Sequence, residues 1–90
     1  MENIAVIRAC KAVKGSAELA RRINVHPTFI YHLRKGLREV PVEKCTKIER
    51  ACSGQVMRWD LRPNDWWEIW PELMDRPGAP EIPNQQSEAA

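Results

Sequence analysis

The feature that most constrains the fold is a twenty-residue stretch, "SAELARRINVHPTFIYHLRK", at positions 16 to 35. Numbered from Ser16, alanine stands fifth, asparagine ninth, and apolar residues stand fourth, eighth, tenth, fifteenth and eighteenth. Two short helices that cross at roughly 90 to 120° need a small residue at the crossing, a residue that tolerates positive φ at the corner, and apolar anchors from both helices. The stretch therefore predicts a helix-turn-helix. Its structural residues are Leu19, Ala20, Ile23, Asn24, Val25, Ile30 and Leu33.

The segment before this pair predicts another helix. Apolar residues recur every three or four positions over about 3–14, which is typical of a helix with one buried side. Gly15 is expected to end that helix in a left-handed conformation. Ser16 is expected to cap the second helix, 17–23, through its hydroxyl.

The rest of the chain completes an all-α domain. The third helix should cover 27–35, with proline in its first turn, and the fourth should begin near Pro41. Residues 56–61 are predicted to be extended or irregular, and 64–70 to form at most two helical turns. Because little strand-like alternation is present, the sequence predicts a compact five-helix, all-α domain that contains the helix-turn-helix.

Length and charge favour one folded domain followed by a tail. Ninety residues suit a single core. Residues 1–62 carry 13 Lys and Arg against 6 Asp and Glu, whereas 63–90 carry 1 against 6. The helix-turn-helix domain is expected to span 1–75, and the proline-rich residues 76–90 are predicted to be a disordered acidic tail. A basic body favours an anionic partner, most often nucleic acid.

Several other classes of function are disfavoured. Cysteines stand at Cys10, Cys45 and Cys52, without the spacing of a zinc site or a disulfide framework, and are expected to be core thiols. His26 and His32 are six positions apart on different sides of a helix, which does not suit a metal site. Neither a metal, a cofactor nor enzymatic activity is expected. The charged N-terminal segment predicts neither a signal peptide nor a membrane span, so the protein should be cytoplasmic.

The third helix has a polar side that suits the major groove of DNA. With residues placed about 100° apart, Phe29, Ile30 and Leu33 fall on one apolar side. The residues predicted to contact base edges lie on the opposite arc and are Thr28, Tyr31, His32 and Lys35. The centre of this arc lacks arginine, asparagine and glutamine, so DNA shape is expected to contribute to specificity.

Basic and polar residues surround this arc. Phosphate contacts position a protein on the duplex without reading its sequence. The residues predicted to make them are Ser16, Arg21, Arg22, His26, Pro27, Arg34 and Arg38. Any two-helix hairpin in a bundle would show the same apolar spacing, so what favours DNA is the combination of the alanine, the turn residue, the isoleucine and the local basicity.

All four tryptophans lie between positions 59 and 70. Trp66 and Trp70, four residues apart, can cap the helical bundle, whereas an exposed ring can join two subunits, because aromatic residues are enriched in interface cores. A homodimer or higher homo-oligomer is expected. The candidate interface residues are Trp59, Trp66, Trp67 and Trp70.

Four segments, "AELARRINV", "IYHLRKGLREVP", "IERACSGQV" and "DLRPNDWWEIWPEL", carry a family resemblance over residues 5 to about 73. They resemble the Cro-like regulators of lambdoid prophages, specifically the YdaS-like group. The resemblance implies a compact Cro/repressor-like helix-turn-helix protein that binds DNA, usually as an oligomer, and acts as a phage repressor or as the DNA-binding antitoxin-like member of a prophage pair. Two positions depart from the family pattern, Asn24 in place of Gly and His26 in place of a Ser cap. Asparagine suits the turn, whereas histidine is expected to cap about 1 kcal/mol less well, which leaves its imidazole for a phosphate.

These features together predict a sequence-specific transcription regulator that binds double-stranded DNA. The alternative is a protein-interaction module that holds a toxin or another regulatory protein through the tryptophan-rich segment and the acidic tail. RNA binding is less favoured, because no aromatic sheet platform or KH-type loop is visible.

Overall fold

The all-α class predicted from the sequence is confirmed in a computed structural model, which describes residues 2–82. Between these residues there is no strand, and no helix combines the length and hydropathy that a membrane crossing requires. The helices are α1 (Ile4–Ala12), α2 (Ser16–Ile23), α3 (Pro27–Lys35), α4 (Val42–Ala51), α5 (Arg58–Leu61) and α6 (Trp66–Ile69), followed by a 3₁₀ turn at Pro71–Asp75.

The core forms around α2, which packs against α1, α3 and α4. The apolar side of α2 is withdrawn from solvent, because Leu19, Ala20 and Ile23 are each at most 1% exposed. Ile30 and Leu33 of α3 belong to the same core and are fully buried. Burial of these side chains is the main favourable contribution to folding, at about 25 cal/mol per Å² of apolar surface.

The corner between α2 and α3 is a left-handed turn at Asn24, with φ 62° and ψ 52°. The Val25 amide donates a hydrogen bond of 2.9 Å to the Ala20 carbonyl, which closes the end of α2. Val25 itself is half-buried against the core. Asparagine adopts this conformation more readily than most residues. The turn predicted from the residue spacing is therefore present at Asn24, and it sets α3 across α2.

The corner between α1 and α2 differs from the prediction. The residue in the left-handed region is Lys14, at φ 70°, whereas Gly15 has φ 143° and ψ 154°. Ser16 was predicted to cap α2 but lies inside the helix, and its hydroxyl accepts a hydrogen bond of 3.1 Å from Arg34 Nη1. The prediction was wrong because it treated the serine hydroxyl as a local cap, whereas a distant arginine reaches it.

Replacing Gly15 with alanine should lower the free energy of unfolding by about 1–3 kcal/mol. The backbone of Gly15 lies in a region that essentially only glycine adopts. A Cβ at this position would meet no atom of the described part of the chain within 4 Å, so backbone strain causes the loss. Urea denaturation measures it. Lys14→Gly is the matched control, which should change stability by less than about 1 kcal/mol. Equal unfolding midpoints for Gly15→Ala and the wild type would contradict a strained corner.

Residues 56–61 also differ from the prediction, because a short helix, α5, occupies the end of a segment expected to be extended. Acidic side chains satisfy the amides of its first turn. The Asp60 carboxylate accepts a hydrogen bond of 2.9 Å from the Met57 amide, and Glu49 accepts one of 3.0 Å from the Arg58 amide. Because Glu49 belongs to α4, this support does not show in the local sequence pattern.

The end of the described chain has more contact with the core than the sequence suggested. Residues 76–82 contain no helix or strand, but Ala79 and Ile82 are half-buried against the core. The prediction of a disordered tail over 76–90 had assumed that almost nothing there could be buried. Residues 83–90, the remaining part of the predicted tail, lie outside the described residues.

Candidate nucleic-acid interface

The exposed side of α3 carries three of the four residues predicted to contact base edges. Thr28, Tyr31 and Lys35 are all exposed, Tyr31 to 50%. They occupy positions i, i+3 and i+7, which share one side of a helix. The opposite side is fully buried through Ile30 and Leu33. α3 therefore exposes a hydroxyl, a phenol and an amine to solvent, while its opposite side is packed in the core.

The amine of Lys35 lies between two neighbours. Its Nζ is 5.8 Å from the centre of the Tyr31 ring and 3.6 Å from a carboxylate oxygen of Glu2. Both lysine and glutamate side chains in this pair are about half exposed, at 45% and 57%. Ion pairs on the surface contribute little to the stability of the fold, and salt screens the attraction between their charges. A phosphate or base edge can therefore replace Glu2 as the partner of Lys35.

His32, the fourth predicted base contact, is less accessible. It is half-buried, with its ring centre 6.0 Å from that of Tyr31 and the two rings tilted by 60°. In this position it supports Tyr31 from the side. Within residues 2–82, no cluster of three His, Cys, Asp or Glu that could hold a metal includes either histidine.

His26 caps α3 through its imidazole, although the sequence led us to expect a weak cap, and the contact of this ring with a phosphate stays a prediction. Its Nδ1 accepts a hydrogen bond of 3.1 Å from the Thr28 amide, and Pro27 fills the first helical position. An imidazole that accepts through Nδ1 carries its proton on Nε2. The ring therefore fixes the start of α3 with one nitrogen and keeps the other as a donor. Both His26 and Pro27 are exposed.

Substitutions at His26 should separate these two roles. His26→Ala should lower stability by about 0.5–2 kcal/mol, because the cap is lost, whereas His26→Asn keeps a capping side chain and should stay within about 0.5 kcal/mol of the wild type. Both should bind DNA about 3- to 10-fold more weakly if Nε2 donates to a phosphate. Thermal unfolding and fluorescence anisotropy measure the two effects. An asparagine variant as unstable as the alanine variant would contradict the cap.

Ser16 and Arg34, both predicted to contact phosphates, lie together at the start of α2. Arg34 is half-buried, and its Nε is buried without a hydrogen-bond partner among residues 2–82, while Nη1 donates to the Ser16 hydroxyl. They border an open cleft of about 360 Å³, shared with Lys11 and Lys14. The two lysines were missed from the sequence. They could have been identified as cleft residues by their position just before the helix-turn-helix, because the end of α1 lies beside the start of α2.

Arg21 and Arg22 are exposed as predicted, but they are paired with Glu18. Arg21 donates two hydrogen bonds to the carboxylate, Nε at 3.0 Å, and Arg22 Nε donates one at 2.8 Å. The hydrogen bonds from Arg21 and then Arg22 lower the pKa of Glu18 to about 2. Arg22 also donates to the Ala51 carbonyl of α4 at 2.9 Å. A phosphate must compete with Glu18 for both arginines.

Arg38 is the remaining predicted phosphate contact. It is exposed, and its guanidinium lies 4.8 Å from the centre of the Phe29 ring. Phe29 is half-buried at the edge of the core. The aromatic face holds the arginine beside α3 without neutralising it.

The tryptophans do not form an exposed cluster. Trp66 and Trp70 are 1% and 9% exposed, so they are core residues and are not available to a partner, contrary to their place in the candidate interface. Trp59 and Trp67 are half-buried. Their ring centres lie 5.8 and 5.9 Å from that of Trp66, both edge to face. A small core uses all four rings because the short α5 and α6 supply few other apolar side chains.

Residues 6–69 match the model of a protein family described as "Bacterial toxin YdaS". A relative from Escherichia coli (strain K12), named "Putative transcriptional regulator YdaS", is 41% identical over 66 residues, which cover 72% of this chain and 67% of the relative. No solved structure matches the chain significantly. The two names describe different activities, and the matched range runs from the first turn of α1 to the end of α6.

Proposed function

The chain belongs to the YdaS family, and from that premise we propose that it is a transcription regulator that binds double-stranded DNA with sequence specificity. The E. coli relative's name points to regulation, and the geometry of α3 supports DNA as the ligand. The matching family is described as a bacterial toxin. That description applies to the family and does not specify a chemical activity that could be assigned to residues of α3.

The observation that carries the proposal is the two-sided character of α3. Ile30 and Leu33 are fully buried, while Thr28, Tyr31 and Lys35 are exposed along the other side. A helix of this kind, set across a second helix by a left-handed turn, can enter the major groove with its polar side against base edges. Lysine pairs with the acceptors of guanine, and the hydroxyls of threonine and tyrosine can donate or accept.

The phosphate contacts would come from the rim of α3 and the start of α2. His26 and Arg38 flank α3. Ser16, Arg34 and the two lysines line one cleft at the start of α2, and the N-terminal end of a helix favours anions. Arg34 lines this cleft and donates Nη1 to the Ser16 hydroxyl, so its guanidinium would give a phosphate in the cleft a charged partner.

We further propose that the protein acts as a cytoplasmic repressor, bound as a symmetric oligomer to half-sites about 34 Å apart. Residues 1–75 would form the DNA-binding domain, and 76–90 would be the acidic tail. A protein partner held through the tryptophan-rich segment is less well supported, because Trp66 and Trp70 are buried.

Salt dependence tests DNA binding by this surface. Between 50 and 300 mM NaCl, the logarithm of the affinity should fall with the logarithm of salt with a slope of about −3 to −5 per protomer, as four or five phosphate contacts require. Arg38→Ala should reduce the size of that slope by about 1. Arg76→Ala, an exposed arginine beyond the 3₁₀ turn, is the matched control and should leave it unchanged.

Fluorescence anisotropy on a labelled duplex from the DNA beside the gene measures these slopes, and an RNA duplex of the same sequence distinguishes the two nucleic acids. The RNA should bind more weakly, because its deep, narrow major groove does not admit α3. A flat salt response, or a tighter complex with RNA, would overturn the proposal.

A further inference from the structure

A carboxylate from outside the helix-turn-helix lies beside the lysine at the C-terminal end of α3. A carboxylate oxygen of Glu2 is 3.6 Å from Nζ of Lys35, and both side chains are about half exposed. The same Nζ is 5.8 Å from the centre of the Tyr31 ring, so the pair lies on the exposed side of α3. A hydrogen-bond acceptor and a donor are therefore held next to each other on the surface that we assign to DNA.

The backbone at Asn3 explains why Glu2 lies there. The Asn3 amide donates a hydrogen bond of 2.9 Å to the carbonyl of Arg34, in the last turn of α3. The Asn3 side chain accepts a hydrogen bond of 3.1 Å from the Val6 amide and caps α1. Because these two bonds tie the residue after Glu2 to both helices, the position of Glu2 beside Lys35 does not depend on their ion pair alone.

A carboxylate at this place affects DNA binding more than it affects folding. An exposed ion pair contributes little to the free energy of unfolding. Near a duplex, however, the charge of Glu2 repels phosphates, and its carboxylate competes with the DNA for Lys35. The repulsion is offset where the carboxylate accepts a hydrogen bond from a base, and in the major groove glutamate pairs characteristically with the N4 amino group of cytosine.

One base pair offers a partner to both side chains. In the major groove, a G·C pair presents N7 and O6 of guanine as two neighbouring acceptors and N4 of cytosine as a donor beside them. Lysine matches the two acceptors, and a carboxylate matches the donor. In an A·T pair the adenine amino group lies between two acceptors, N7 of adenine and O4 of thymine, so a lysine there meets no neighbouring pair of acceptors.

We propose that Glu2 and Lys35 together read one G·C base pair in the major groove. Lys35 donates to N7 and O6 of guanine, and the Glu2 carboxylate accepts from N4 of cytosine. The inference rests on the proposed function and deepens it, because it names a base pair that the DNA target contains. Glu2 is then a specificity-determining residue, since its charge weakens binding wherever no cytosine amino group is in reach.

Modified bases test the two contacts separately by fluorescence anisotropy at fixed salt. Each cytosine of the footprinted duplex is replaced in turn with 2-pyrimidinone, which lacks the N4 amino group. At one position the wild type should bind about 5- to 30-fold more weakly, whereas Glu2→Ala should lose less than about twofold. At the guanine of the same pair, 7-deazaguanine removes N7, and it should weaken the wild type but not Lys35→Ala.

Glu39→Ala is the matched control for the loss of a negative charge. Glu39 follows α3, its side chain is 86% exposed, and its partner in the ion pair is Arg62 instead of Lys35. Glu39→Ala should therefore show the full loss of affinity on the 2-pyrimidinone duplex. Glu2→Ala should also bind unrelated duplexes more tightly than the wild type, because the repulsion of phosphates is removed.

The outcomes separate the base contact from DNA binding itself. A wild type that binds the duplex but tolerates 2-pyrimidinone at every position would overturn the inference and leave the proposed function intact. Equal losses for the wild type and Glu2→Ala at each position would do the same. A wild type that binds no duplex would contradict the proposed function, and the reading of a G·C pair with it.

Discussion

Replacing Tyr31 and Lys35 together with alanine should lower the affinity for the target duplex about 30- to 100-fold, which corresponds to a loss of about 2–3 kcal/mol. Both side chains are exposed on the same side of α3, Lys35 with its Nζ 5.8 Å from the Tyr31 ring. A single favourable contact to a base edge is worth about 1–3 kcal/mol, so the two losses together should be large.

The same double substitution should leave the fold intact, because surface changes outside special features alter stability by about 0.5 kcal/mol or less. Anisotropy titrations at fixed salt measure the affinity, and circular dichroism measures the unfolding midpoint. The matched control is Lys47→Ala together with Arg50→Ala, two exposed basic residues of α4 that are not part of the α3 face. Equal affinities of the α3 variant and the wild type would refute the assignment of this face to DNA.

Replacing Trp66 with alanine should have the largest effect on stability, a loss of about 3–5 kcal/mol. Trp66 is 1% exposed and lies edge to face against both Trp59 and Trp67. The cavity left by the indole cannot be filled by the short α5 and α6 that surround it. Since small domains are stable by only about 5–15 kcal/mol, the variant should be near the limit of folding at 37 °C.

Urea denaturation followed by circular dichroism measures this loss. Trp67→Ala, at a half-buried ring in the next position, is the matched control and should cost clearly less. Trp66→Phe should recover part of the stability, because it keeps an aromatic ring in the core. A loss below about 1 kcal/mol for Trp66→Ala would contradict its position in the core.

The helix-turn-helix itself could be predicted from the sequence because its determinants are local. Asn24 adopts the left-handed turn, and the buried residues of α2 and α3 follow helical periodicity. The same periodicity placed Thr28, Tyr31 and Lys35 on the exposed side. A twenty-residue pattern of this kind contains its own packing partners, so it needs no information from the rest of the chain.

Features that depend on distant contacts could not be predicted. α5 is supported by Glu49 from α4, and the Ser16 hydroxyl serves Arg34 rather than the start of α2. In both cases a charged side chain selects among several partners, and tertiary geometry decides which. The pairing of Glu18 with Arg21 and Arg22 is different, because it lies within α2 and its spacing of three and four residues is visible in the sequence.

The tryptophan-rich segment is another case in which the sequence did not determine which apolar side chains are exposed. The sequence left two interpretations open, that Trp66 and Trp70 cap the helical bundle or that an exposed ring joins two subunits. The structure buries Trp66 and Trp70 and half-buries the other two, and exposes Leu37 and Ile4 instead. Neither of these two aliphatic residues stands out by composition. Their exposure follows from where α1 begins and α3 ends in space.

The most direct test of α3 as the DNA-binding element is an NMR titration of the ¹⁵N-labelled chain with a short duplex that footprinting has identified beside the gene. The amides of residues 26–38 and of the first turn of α2 should shift most, with smaller changes at Lys11 and Lys14. Shifts confined to α5, α6 and the 3₁₀ turn, with α3 unchanged at saturating DNA, would contradict the central role of α3.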